Sequence, residues 1–187
     1  PVATDNAGQY AFNTVPPANY QVMVVEPFGY VADQSPKLVT VLPGSTSTVN
    51  FILSPTAAAN NALGKGYWKH QFDVHVCLQG QAQESAAQLA DYISAVQTRY
   101  TPHFGLFAGM STFTQWQGVL TVNGNQPMFA KARAQLAAFL LNFFSLKVAP
   151  STVVTVDGRI ASDALSYISL LLSDNVASND ALAKSLA

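Results

Sequence analysis

The sequence predicts an α+β chain organised as two domains, an antiparallel β region over residues 1–54 and a small α-helical bundle over residues 64–187. Three observations predict it. Up to Pro55, apolar residues recur with a period of two between turn residues, as half-buried antiparallel strands do. From Ser54 to Ala62 the composition changes to small residues without periodicity, which assigns residues 55–63 to a linker. Beyond Gly64 and Gly66 the apolar spacing becomes helical.

In the β region, Asp5-Asn6-Ala7-Gly8 reads as a turn leading into a strand at Gln9–Phe12, with Tyr10 and Phe12 facing one way. After the break at Val15–Asn19, Tyr20, Val22 and Val24 point inward and Gln21 and Met23 outward. Pro27–Tyr30 bends the chain. Lys37–Leu42 supplies a third strand and Thr46–Leu53 a fourth, whose inward residues are Val49, Phe51 and Leu53. In the second region an irregular, aromatic-rich opening precedes a helix over Gln83–Tyr100 with Ala86, Leu89, Ile93 and Val96 on one stripe. A helix over 127–146 buries Ala132, Leu136, Phe139, Leu140 and Phe143; it is apolar nearly all round, so its place is at the centre of the bundle. A third follows Val156-Asp157-Gly158, with Ile160, Ala164, Ile168 and Leu171 or Leu172 inward. Asn179-Asp180 caps a short last helix running to Ala187.

Composition removes several classes of partner. Nine basic and ten acidic residues give a net charge of −1, which leaves no counterion-release drive toward nucleic acid and no basic stripe for an anionic membrane. The most apolar stretch, Ala134–Phe144, is interrupted by Asn142 and falls short of the roughly 20 residues of a transmembrane helix. Charged residues make up only 10% of the chain, and a weakly charged surface near zero net charge favours self-association. The single cysteine, Cys77, excludes an intrachain disulfide; a packed small hydrophobe, an intermolecular bridge and a reactive thiol all remain open. The chain opens without a basic start and apolar core, so a leader has been removed or the chain is a piece of something longer.

Two stretches carry family resemblances. Thr4–Phe12, Val15-Pro16, Asn19–Val22, Glu26-Pro27-Phe28-Gly29-Tyr30 and Val49-Asn50-Phe51, taken in order, resemble the second half of a B-type repeat of bacterial surface proteins. This is the SdrD B-like and Cna B-like group, allied to the carboxypeptidase regulatory-like β-sandwich. The resemblance implies an incomplete antiparallel β-sandwich of the transthyretin/Ig-like kind on a secreted or cell-surface protein. It also implies that the strands preceding Thr4 come from upstream residues or from a neighbouring chain by β-augmentation. Some members form an isopeptide bond from a Lys in the first strand. Here that strand is absent, Glu26 directly precedes Pro27, and Asn50 has no visible partner, so Asn50 reads as a polar residue in an edge or outward strand position. Gly64-Lys65-Gly66-Tyr67-Trp68-Lys69-His70 resembles the Gly-[Tyr/Phe]-Trp-Lys-x-His element that opens a module of secreted bacterial and archaeal proteins, though here no residue separates Lys69 from His70. Ala132–Asn142 and Ala161–Ile168 are similar to that module's later helices. Together the resemblances imply a non-enzymatic extracellular structural protein, part of a surface layer, stalk or filament that assembles through the incomplete sandwich. The alternative they imply is an adhesion or glycan-binding module.

Candidate chemistry is sparse. His70, Asp73, His75 and Cys77 fall within eight residues and include the N and S donors zinc prefers; alternation would put Asp73, His75 and Cys77 on one face. Their spacing matches no zinc signature, and the competing reading is polar residues beneath an aromatic cluster. Tyr67, Trp68 and Trp116 serve either as a sugar-stacking surface or as core. Asp5 and Asn6 supply too few oxygens for calcium. The Asp157-Gly158-Arg159-Ile160 stretch has an EF-hand-like core, but Val153 and Thr155 stand where acidic ligands belong, so Ser162 or Asp163 opening a helix explains it better. Glu84 and Asp91 read as solvated helix positions. With no nucleophile elbow and no phosphate loop, the sequence assigns no catalytic residue and no cofactor.

Overall fold

The computed structural model describes residues 1–174 and 176–187. They form two compact units, Pro1–Pro55 and Thr56–Ala187. The first holds short antiparallel strands and the second is helical, so the chain is α+β.

In the first unit, β1 (Ala18–Val22) pairs with β3 (Lys37–Val41), Ala18 opposite Val41 and Val22 opposite Lys37. The second ladder joins β2 (Tyr30–Ala32) to β4 (Leu53–Pro55). The expected alternation is present: Tyr20, Val22 and Val24 are half-buried and Gln21, Met23 and Val25 exposed, and the same rhythm runs through Lys37–Val41 and Val49–Ile52. Two of the expected strands do not form as ladders. Gln9–Phe12 is irregular, because the Asp5 carboxylate closes a turn on the amides of Ala7 and Gln9 (2.9 and 2.8 Å) and Tyr10 is tied by its hydroxyl to Val49 O at 2.7 Å. Within Thr46–Leu53 only Leu53 enters a ladder, and it is exposed, as is Phe12. The bend at Pro27–Tyr30 is a turn that delivers β2, with Tyr30 N bonded to Pro27 O at 3.1 Å and Gly29 at φ 79°, a conformation glycine adopts without strain.

The helical unit starts earlier than the sequence suggests. The segment read as irregular is helix α1 (Lys65–Cys77), which buries Trp68, Gln71, Phe72 and Val74. Trp68, Gln71 and Phe72 follow an i, i+3, i+4 stripe that a glutamine at its middle conceals. Helix α2 (Ala86–Ala95) is opened by a capping box between Ser85 and Gln88 and continues through a π-helical turn at Val96–Tyr100 into α3 (Thr101–Phe104). Helix α4 (Phe113–Leu120), which the sequence reading did not anticipate, has the same device in Thr112 and Gln115. Helix α5 (Met128–Phe144) buries every residue expected of it and touches α1, α2, α4, α6 and α7, which makes it the centre of the bundle. Helix α6 (Ala161–Ser173) buries Ala164, Ile168, Leu171 and Leu172, with Asp163 in its first turn. Asn179 and Asp180 lie inside the first turns of α7 (Ala177–Leu186), whose N-cap is Val176, so they do not cap it as expected.

The stretch assigned to a linker is held by the helical unit. Ala59 N bonds Leu146 O at 2.9 Å and Asn61 N bonds Lys147 O at 3.1 Å. Among the described residues no helix is long and apolar enough to cross a membrane.

Candidate functional site

The Gly-Tyr-Trp-Lys element lies in the first turns of α1, and its side chains converge on two polar groups that the bundle buries, Asn142 and Glu84. Asn142 projects from the apolar heart of α5. Its Oδ1 accepts from Leu63 N at 2.9 Å and Trp68 Nε1 at 3.2 Å, and its Nδ2 donates to Leu63 O at 2.8 Å. The amide side chain thus pairs with one main-chain unit while satisfying the buried indole, as buried polar groups require. Its own carbonyl receives Lys147 N at 2.9 Å and Val148 N at 3.1 Å. That turn sets the position of Lys147.

Glu84 is only 4% exposed, so the solvated role expected of it is incorrect; Asp91 is exposed, as expected. Glu84 stands one residue before the Ser85 cap, outside any helix, where the chain folds back onto α1. Its Oε1 accepts from Tyr67 OH at 2.8 Å and forms an ion pair with Lys147 Nζ at 2.8 Å; Oε2 accepts from Tyr92 OH at 3.2 Å. Its main chain is held as well. Gln71 Oε1 accepts the amides of Gln83 and Glu84 at 2.7 and 3.0 Å, and His75 Nε2 donates to Glu84 O at 2.8 Å. Lys147 Nζ also lies 5.7 Å from the Trp68 ring centroid, and Tyr67 and Tyr92 meet Trp68 edge-on at 5.1 and 6.1 Å. One carboxylate therefore ties α1, the α1–α2 turn, α2 and the end of α5 together.

The electrostatics suit a brace. Burial pushes the Glu84 carboxyl up, but hydrogen bonds from Lys147 and Tyr67 and the ammonium charge outweigh it, and the group lies below the ordinary glutamate range. Burial, with Glu84 nearby, pushes the Tyr92 phenol up to about 12 and raises that of Tyr67 further. Both phenols remain donors and the carboxylate remains an acceptor at neutral pH. A general acid or base works best with a pKa near the operating pH, and this carboxylate is held away from it.

The proposed zinc donors do not converge. On helix α1, at about 100° per residue, His70 and His75 point to different sides, as do His75 and Cys77. His70 and Cys77 are exposed, His75 is tied to Glu84 O and packs 5.9 Å from Phe113, and Asp73 accepts from Lys69 and from Gln117 Nε2 at 2.8 Å. In the helix Asp73 and Cys77, four residues apart, still share a face, but His75 turns away from both. Among the described residues no group of three or more His, Cys, Asp or Glu could hold a metal ion.

Trp68 and Trp116 are fully buried. Trp116 stacks between Phe107 (5.4 Å, 9°) and Phe72 (6.2 Å, 20°) and donates to Met110 O at 2.9 Å, so of their two readings packing applies. At Asp157 the carboxylate is closed off by Thr155 Oγ1 and by Arg159 Nε at 2.9 Å, a turn between Val153 and Ile160 with no oxygen cage. Sequence reasoning misses Gln71 and Lys147 altogether, and names Glu84 and Asn142 without giving either a part in a buried cluster. The legible signal is Asn142, a lone polar residue within the apolar run Leu136–Phe144. Comparison with protein-family models, curated proteins and solved structures finds no match to this chain.

Proposed function

We propose that this chain is a non-enzymatic structural module of an extracellular or cell-surface assembly, a layer, stalk or filament, in which the helical unit is a rigid body and the β unit is the connector. In this reading the two short ladders are part of a B-type β-sandwich finished by strands of a second copy. One observation carries it: no apolar side chain of Pro1–Pro55 is fully buried, while Met23, Val25 and Leu38 are 72%, 92% and 78% exposed. Apolar residues alternate along these strands as though both faces had cover, and exposed apolar patches mark surfaces that associate. Ladders of two strands are marginal alone, and their free edges are templates for further pairing. The resemblance of Thr4–Phe51 to surface-protein repeats supports the location, and the saturated donors around Glu84 favour bracing over catalysis. The adhesion alternative has no comparable support, since Trp68 and Trp116 are inside and the Tyr67 hydroxyl is engaged.

Sedimentation velocity combined with hydrogen exchange on this chain, over two orders of magnitude in concentration, tests the reading. Association with amide protection rising in β1 and β3 is the expected result. A monomer at every concentration, whether its β-unit amides exchange freely or are already protected, overturns completion by a second copy.

A further inference from the structure

Arg133, on α5, has a charge that nothing among the described residues around it balances. Its Nε donates to Leu106 O at 3.1 Å, its Nη2 contacts Met110 Sδ at 3.0 Å, and its guanidinium carbon lies 5.2 Å from the Phe107 ring centroid. All three partners are neutral. Among the described residues no carboxylate comes within 4.0 Å, and every ion pair belongs to another cation. A partly buried charge without a counter-charge is unfavourable, and burial alone draws its pKa down, with no acidic neighbour to oppose the shift.

The same side chain lines a cleft of about 350 Å³ between α4 and α5, together with Met110, Gly118, Val119, Val122 and Gln126. That volume lies at the lower end of small-molecule sites, about 300–1,000 Å³. The contacts above leave both hydrogens on Nη1 and one on Nη2 unpartnered among the described residues, and a planar fork of free N–H groups pairs with a carboxylate in bidentate fashion. Because the fork is pinned by Leu106, Met110 and Phe107, little freedom would be lost on binding. The nearby lysines are turned to main-chain carbonyls, Lys131 to Gly124 at 2.7 Å and Lys65 to Val122 at 3.4 Å. One cation among uncharged walls, part apolar and part the neutral side chains of Gln115, Thr121 and Gln126, suits a monoanion better than a doubly charged phosphate.

We propose that this cleft binds a small organic carboxylate with a short apolar tail, the carboxylate on the Arg133 guanidinium and the tail against Met110, Val119 and Val122. The residues that line the cleft all belong to the helical unit, and none of them is part of the Glu84 cluster.

The test is an amide-resolved NMR titration of this chain with hexanoate and benzoate, against hexanamide and benzamide at matched ionic strength. The acids are expected to give saturable shifts at Gly118, Thr121 and Gln126, and the amides none. Arg133→Gln should weaken acid binding about tenfold or more. Since that change also removes support from the Leu106–Met110 loop, Gly118→Leu is the second variant. A Cβ at Gly118 meets nothing within 4 Å and its backbone is not left-handed, so the fold should persist while the added side chain fills the cleft and weakens binding similarly. Equal shifts from acids and amides, unsaturable shifts spread over the surface, or unchanged binding in Gly118→Leu would each overturn the proposal.

Discussion

The two units answer the same physical demand, cover for apolar side chains, in opposite ways. In Thr56–Ala187 the cover is internal: α5 is wrapped by five other helices, and Trp68, Phe72, Trp116, Leu136 and Leu140 lose all contact with solvent. In Pro1–Pro55 the alternation is equally regular, but its inward residues reach only partial burial and its outward ones include Met23, Val25, Leu38 and Ile52. Regular patterning by itself therefore does not supply a core.

The largest expected effect separates the units directly. Trp116→Ala removes the middle of a three-ring stack and the donor to Met110 O, and should cost about 3–5 kcal/mol in thermal or urea unfolding followed at α-helical wavelengths. Val39→Ala in β3 removes a half-buried side chain and should change the same transition by less than about 0.5 kcal/mol. Equal losses from the two changes would mean that the β unit is part of one cooperative core, and the contrast drawn above would fail.

A smaller effect concerns the polar brace. Lys147→Met leaves the Glu84 carboxylate buried beside two phenols without its counter-charge, and should cost about 3 kcal/mol. Acid should act on the same group. A carboxyl whose folded pKa lies below its unfolded value takes up its proton more readily when unfolded. Its contribution is therefore complete above the unfolded pKa of about 4.3 and is lost as pH falls through the folded value. Asp73, whose desolvation is outweighed by hydrogen bonds from Lys69 and Gln117, acts in the same direction. The helical transition should hold steady from neutrality to about pH 5 and weaken below it, and Glu84→Gln should flatten that decline. An undiminished decline in Glu84→Gln would assign the acid sensitivity elsewhere.

The brace also marks where reading the sequence stops. The stripe of α5 was legible because Ala132, Leu136, Phe139, Leu140 and Phe143 repeat at helical spacing, and the rhythm of β1 and β3 because Tyr20, Val22, Val39 and Val41 alternate. Helix α1 was hidden by the glycines at 64 and 66 and by Asp73–Cys77, where polar and apolar residues alternate like a strand. Glu84 looked solvated because nothing local distinguishes it. Its donors lie 17 residues before it at Tyr67, 8 after it at Tyr92, and far beyond at Lys147, and only the packing of α1 against α5 brings them together. The strands at Gln9–Phe12 and Thr46–Ile52 failed for the complementary reason. Their alternation is real, but a ladder also needs a neighbouring strand in register, and a one-dimensional pattern does not supply one.

The smallest effect on stability is the sharpest test of the comparison. Leu38 is the second residue of β3, opposite Gln21 and 78% exposed, so Leu38→Lys adds a solvated charge without disturbing any buried contact. On the isolated chain the change in unfolding should stay within about 0.5 kcal/mol. If the outward face of β1 and β3 is covered by a second copy, the same lysine must be desolvated there, and the concentration-dependent association should fall by far more than the stability does. Hydrogen exchange at the amides of Gln21, Leu38 and Thr40 reads both quantities in one experiment. Loss of association with an unchanged monomer would locate the interface on this face. Association that survives the lysine would leave the apolar outward face without a role in assembly, and would move the contact to the open edges of the two ladders.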